Sequence, residues 1–116
     1  MHMIYELREY ISQPGAEKKV HDRFAGVTLT LFERHGLEVA GFWVDEADPQ
    51  RILYLLAFEN AEAQECAWSR FQNDPEWKSA KSVSEADGPI VAEMISRTLR
   101  PVDYWPVTTD RERTER

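Results

Sequence analysis

Cysteine is nearly absent from the chain, with only Cys66 among 116 residues. One thiol can form neither an intrachain disulfide nor a multi-cysteine zinc or iron–sulfur centre. Because Cys66 falls among Ala63, Ala67 and Phe71 in a helical pattern, it is expected to be a small packed side chain and not a nucleophile. No apolar run approaches the roughly 18 residues that a membrane-spanning helix needs, and no charged-then-apolar leader opens the chain. The expectation is a cytoplasmic protein with no membrane partner. Basic residues are also in deficit, 14 Lys and Arg against 21 Asp and Glu, for a net charge of −7. The longest basic run is Lys18-Lys19. Nucleic-acid binding depends on basic side chains displacing counterions from phosphates, so no nucleic-acid partner is expected. There is no glycine-rich phosphate loop, no GxSxG and no Cys–His or Ser–His spacing of a known kind, which argues against nucleotide use and covalent catalysis. His21 has no HExxH-like partner. Neither a metal nor a cofactor is expected.

The residues that are present describe one ordinary globular domain. The composition is 42% hydrophobic, 11% aromatic and 30% charged, too apolar and aromatic for disorder. Residues 3–11 alternate Ile4, Glu6, Arg8 and Tyr10 with Met3, Tyr5, Leu7, Glu9 and Ile11, a strand pattern. After Gln13-Pro14-Gly15, Val20, Phe24, Val27 and Leu31 recur at helical spacing to about His35, and Gly36 supplies a left-handed stop. Leu37 to Val44 alternates again, with Val39, Gly41 and Trp43 opposite Ala40, Phe42 and Val44. Ile52 to Phe58 is a nearly continuous apolar run, as in a strand covered on both faces. Asn60 can cap a second helix. Asp74-Pro75-Glu76 restarts it with an N-cap, a proline at the first turn and an acid favoured by the dipole. Ile90 to Arg100 is a fourth strand, ended by Pro101.

The order βαββαβ matches the split βαβ, ferredoxin-like α+β fold. There a four-stranded antiparallel sheet in the order 4-1-3-2 carries both helices on one face. The domain spans residues 3–101, and residues 102–116 form a polar tail whose last seven residues, 110–116, are expected to be mobile. The uncovered sheet face would leave aromatic side chains such as Trp43, Phe42 or Tyr54 in water. Exposed patches of that kind mark interfaces, and two sheets packed face to face in a two-fold dimer are the simplest closure. Phe42 and Trp43 are therefore dimer-interface candidates, and a homodimer or higher homo-oligomer is expected.

Four stretches, MIYELREYISQPG, LFERHGLEVAGFW, NDPEW and EMISRTLRP, resemble the NIPSNAP family of the dimeric α+β barrel superfamily, in the family's order and spacing. The resemblance implies a barrel formed by two paired sheets. Through the wider superfamily it also implies a ligand held between sheet and helices, as in cofactor-free monooxygenases, haem-degrading enzymes and muconolactone isomerases. Fold alone does not choose among these. The haem-degrading members use an Asn, a Trp and a His in concert, and here the first strand has no Asn and the second helix no His. The animal members imply a different role, a non-catalytic interaction or assembly module. For that role Leu29 and Phe32, expected to point away from the inward stripe of the first helix, are the informative surface.

Ligand-pocket candidates follow from pairing strands 1 and 4. If opposed residue numbers sum to 103, the value that roughly centres the two strands, Glu6 faces Arg97, Arg8 faces Ile95 and Tyr10 faces Glu93. The resulting charged ladder could orient an anionic or carbonyl group and move a proton, or it could simply fix strand pairing. Tyr54 joins the list from the central strand. His35 ends the first helix, where it can serve as a base or ligand contact or interact with the terminal carbonyls. Trp43, Trp68 and Trp77 suit packing, or an aromatic cleft for a flat ligand. A small organic ligand, aromatic, carbonyl-bearing or anionic, is the functional expectation, with a cofactor-independent oxygenation or isomerisation as its enzymatic form.

Overall fold

The structure, a computed structural model, describes residues 3–106. The expected mobility of residues 110–116 therefore lies outside the described residues. The elements run β1 (Ile4–Ser12), α1 (Glu17–Arg23), a π-helical turn (Phe24–Thr28), α2 (Leu29–His35), β2 (Glu38–Val44), β3 (Arg51–Phe58), α3 (Ala61–Gln72), α4 (Pro75–Ser84) and β4 (Val91–Leu99). The strands form one antiparallel sheet in the order β2-β3-β1-β4, which is the expected 4-1-3-2 arrangement. The fold is α+β and ferredoxin-like.

Local chemistry explains the element boundaries. Gly36 takes φ +83° at the end of α2, a conformation glycine adopts without the Cβ clash other residues meet. Asn60 Oδ1 accepts from the Ala63 N–H (2.8 Å) and Asp74 Oδ1 from the Glu76 N–H (2.8 Å), so both expected caps form. The π-turn was not foreseen. There the Leu29 N–H reaches back to the Phe24 carbonyl, one residue further than in an α-helix, and the Thr28 hydroxyl donates to the Arg23 carbonyl (3.2 Å). The extra residue shifts the helix phase, so Thr28 is buried and Val27 only partly so. It also turns Phe32 inward, where it is 1% exposed. Leu29 is exposed as expected, at 37%, but with Phe32 buried the outward Leu29–Phe32 surface expected for an interaction module does not form.

The helices cover the face carrying Ile52, Tyr54, Leu56 and Phe58, against which Val20, Phe24, Leu31, Phe32, Ala67 and Phe71 pack. Phe42 lies on this covered face, its ring stacked on Tyr54 at 5.1 Å, and so is not on the uncovered side where a sheet-to-sheet partner would sit. The uncovered face, by strand alternation, presents Leu7, Leu53, Leu55, Ile95 and Leu99 together with Trp43, whose side chain is 55% exposed. The Trp43 indole lies across Gly41, where a Cβ would come within 2.2 Å of the ring. A bulge between Val39 and Gly41 leaves Val39 against the core, not on the Trp43 side. Cys66 is exposed and not packed, because α3 turns Ala67 and Phe71 inward instead.

Candidate functional site

The pairing of β1 with β4 sets which polar residues meet. Glu6 stands opposite Thr98, Arg8 opposite Ser96 and Tyr10 opposite Met94, so opposed residue numbers sum to 104 and the expected register is off by one. A one-residue slip moves a strand's alternate side chains to the other face. Arg97 therefore opposes Leu7 and Glu93 opposes Ile11, both on the uncovered face, and neither reaches the ladder expected of it. Glu6, Arg8, Tyr10 and Tyr54 do come together, beneath α3.

Glu6, 3% exposed, is the acceptor at the centre of this group. Its Oε2 accepts from Arg8 Nη1 (3.0 Å) and the Ser96 hydroxyl (2.7 Å). Its Oε1 accepts from Gln64 Nε2 (3.0 Å) and the Trp68 indole N–H (2.7 Å). Gln64 and Trp68 are one helical turn apart on α3 and so share the face that meets the sheet. Burial by itself would raise the Glu6 pKa, but the four hydrogen bonds to the charged form outweigh it and hold the carboxyl below its ordinary value. Glu6 is thus a fixed carboxylate, already saturated with donors, and not a proton carrier.

What Glu6 fixes is Arg8. The Arg8 guanidinium lies 4.3 Å from the Trp68 ring centre, a cation–π contact, and its Nη2 donates to the Tyr10 hydroxyl (3.0 Å). The hydroxyl of Tyr54, a side chain with no exposed surface, donates to the same oxygen (3.2 Å). Burial pushes the Tyr54 phenol well above its usual range, and Arg8 offsets this only in part, so it stays protonated.

Beside the group lies a cleft of about 500 Å³ between β1, β4 and helices α3 and α4. Tyr10, Trp68, Phe71 and Trp77 give it aromatic walls. Its charged residues are Arg8, Arg23, Lys78 and Lys81 against the single carboxylate Glu85, a local cationic excess in a chain of net charge −7. Arg23, just before the π-turn, is 9% exposed and donates to Ser84 Oγ (3.1 Å) and Glu85 Oε2 (2.9 Å). Its guanidinium also lies 5.0 Å from the Trp77 ring centre. π-turns inside helices often accompany functional positions, and this one leaves both Arg23 and Phe24 buried. A larger depression of about 830 Å³ lies between α2 and β2, but none of its polar side chains, Glu33, Glu38 and Glu59, is buried. Chemistry that depends on desolvated polar groups favours the smaller cleft.

His35 lies outside the cleft. Its Nε2 is 2.6 Å from Asp74 Oδ2, which also accepts from Arg34 Nη1 (3.2 Å). The histidine ties the end of α2 to the start of α4. These contacts, His35 first, together with the Glu76 N–H, hold the Asp74 carboxyl below its ordinary pKa. Among the described residues no group of three or more His, Cys, Asp and Glu is arranged to hold a metal ion, and no helix is long and apolar enough to cross a membrane. Gln64, Ser96, Arg23, Lys78 and Lys81 were not anticipated as site residues. The i, i+4 pair Gln64–Trp68 on a capped helix was the available signal for α3, and the correct register would have placed Ser96 beside Arg8.

Comparison with known proteins bears on the fold and the family. A family model described as NIPSNAP matches residues 5–106. The chain matches no curated protein. Among solved structures, a NIPSNAP family protein from Agrobacterium tumefaciens aligns with a TM-score of 0.81 at 16% identity, over 92% of this chain and 100% of its own. An uncharacterised NIPSNAP-like domain protein from Burkholderia xenovorans aligns at 0.79 and 20% identity, over 91% of this chain and 90% of its own. A proposed antibiotic biosynthesis monooxygenase from Bordetella bronchiseptica aligns at 0.64 and 16% identity, over 88% of this chain and 99% of its own. At these identities the likeness concerns the fold.

Proposed function

The chain belongs to the NIPSNAP family, and from that premise we propose that it binds a small aromatic anion in the cleft between the sheet and helices α3 and α4. The observation that carries this reading is Arg8, held by a buried carboxylate and an indole beside a cleft whose other charged residues are mainly cationic. Desolvated guanidinium groups are strong anion ligands, and flat aromatic walls favour a planar partner. Any conversion of the ligand, whether the oxygenation named for the Bordetella neighbour or an isomerisation, belongs in this cleft. There Arg8 and Tyr10 would polarise an oxygen of the ligand, while Glu6 keeps Arg8 in place.

The functional unit in this reading is a homodimer closed through the uncovered sheet face. An exposed apolar surface containing Trp43 is costly in water, and a second copy covers it without breaking any sheet hydrogen bond. Calorimetric titration with benzoate and with a quaternary aryl ammonium of similar size tests the binding. Benzoate should bind and the cation should not. Equal affinity for both, or binding of the cation alone, refutes an anion site.

A further inference from the structure

The hydrogen bonds around Tyr10 leave one proton unassigned. A phenolic oxygen has one proton and two lone pairs. Both lone pairs of Tyr10 are engaged, one by Arg8 Nη2 (3.0 Å) and one by the Tyr54 hydroxyl (3.2 Å). The direction of the second bond follows from burial, since Tyr54 is wholly enclosed and among the described residues Tyr10 is the acceptor for its proton. The Tyr10 proton is then left to donate elsewhere, and Tyr10 lines the cleft. A second donor without an acceptor lies on Arg8, whose side chain also lines the cleft. Arg8 Nε is buried and has no acceptor among the described residues. Two donors from adjacent side chains, backed by a fixed positive charge, match an electron-rich oxygen.

The cleft is also ordered from inside to outside. Arg8 and Tyr10 are half-buried, whereas Lys78 and Lys81 on α4 are exposed. A carboxylate, strongly hydrated, is better placed at the exposed lysines. An aryl oxygen, less strongly hydrated, suits the inner donors. We propose that the preferred ligands are aromatic acids bearing a ring hydroxyl, bound with the carboxylate toward Lys78 and Lys81 and the ring oxygen held as a phenolate by Tyr10 and Arg8. On binding below the phenol's own pKa, the ligand hydroxyl releases its proton to solvent. The O–H bond breaks, the electron pair stays on the ring oxygen, and no redox partner is involved.

This assignment rests on the cleft reading above, and the test separates the two. The intact protein is titrated with benzoate, 4-hydroxybenzoate and 4-hydroxy-3-nitrobenzoate, whose phenolate absorbs in the visible. Expected are an affinity for 4-hydroxybenzoate about tenfold above that for benzoate, the increment of one well-placed bond to a charged acceptor, and a bound nitrophenol that ionises at lower pH than the free compound. Tyr10→Phe should lower the affinity for 4-hydroxybenzoate toward that of benzoate. Because that variant could fold poorly, the wild-type ionisation shift is itself decisive, and an unshifted or raised value overturns the proposal. If benzoate binds as well as 4-hydroxybenzoate and no shift occurs, only the phenolate assignment fails. If none of the three binds, the cleft reading fails with it.

Discussion

Replacing Glu6 by glutamine isolates the interaction on which the candidate site is built. The side chain keeps its size and one carbonyl oxygen, so Gln64 and the Trp68 indole, which now donate to Oε1 at 3.0 and 2.7 Å, can stay satisfied. The Oε2 position becomes an amide N–H₂ that faces Arg8 Nη1 and the Ser96 hydroxyl, both donors at present. Arg8, with a side chain 14% exposed, then loses its counter-charge. Removing one partner of a buried ion pair costs about 3–5 kcal/mol. With one oxygen retained and serine free to rotate, about 3 kcal/mol is expected, or about 10 °C in melting temperature for a chain of this size. Urea unfolding at fixed protein concentration measures it. The effect also has a pH signature. Glu6 is held below the 4.5 of an unperturbed carboxyl, so its ionised form favours the fold. Its contribution is complete above pH 4.5 and is lost as the pH falls through the lower, folded-state value. The gap between wild type and Glu6→Gln should therefore narrow in acid. Asp74 is shifted in the same direction but is present in both proteins and cancels in the difference. A cost under about 1 kcal/mol, typical of exposed pairs, or a gap independent of pH, would refute the view that Glu6 is a buried anchor for Arg8.

Trp68→Phe keeps an aromatic ring but removes the indole donor to Glu6. A loss of about 1.5–3 kcal/mol is expected, the range for a hydrogen bond to a charged group, and it should fall below additivity when combined with Glu6→Gln in a double-mutant cycle. Arg97→Ala, on the opposite face from Arg8, should leave benzoate affinity unchanged by calorimetry, and a drop would reinstate the ladder that the register excludes. Trp43→Asp should shift a dimer toward monomer in light scattering at micromolar concentration, and an unaltered dimer would move the interface away from this face. Asn60→Ala removes a cap whose Oδ1 accepts at 2.8 Å and should cost about 1 kcal/mol in urea unfolding.

The fold was legible because its signals were redundant while those of the site were not. Residues 3–11 and 37–44 alternate and residues 52–58 form a nearly continuous apolar run, each break carries glycine, proline or a capping residue, and an error of one residue at an element's end leaves topology untouched. The Leu29–Phe32 expectation failed on a finer point. An α-helical count through residues 17–35 has no place for the π-turn at Phe24–Thr28, and the added residue changes the helix phase after it, so that Phe32 joins Leu31 in the core while Leu29 stays exposed. The register of β4 against β1 failed in the same way. Residues on both faces of β4 are mixed in polarity, Met94, Ser96 and Thr98 on one and Ile95, Arg97 and Leu99 on the other, so hydrophobic patterning alone does not select between sums of 103 and 104. Centring the two strands led to the wrong value, and the Glu6–Arg97 pair that it produced is one that electrostatics suggests in isolation. What decides is the helix above. With four donors, from Arg8, Gln64, Trp68 and Ser96, already converging on it, Glu6 has no need of a cross-strand arginine. An acid whose partners come from its own strand, a neighbouring strand and a helix cannot be located by pairwise strand arithmetic, and its signature in the sequence is the Gln64–Trp68 spacing on the element that covers it.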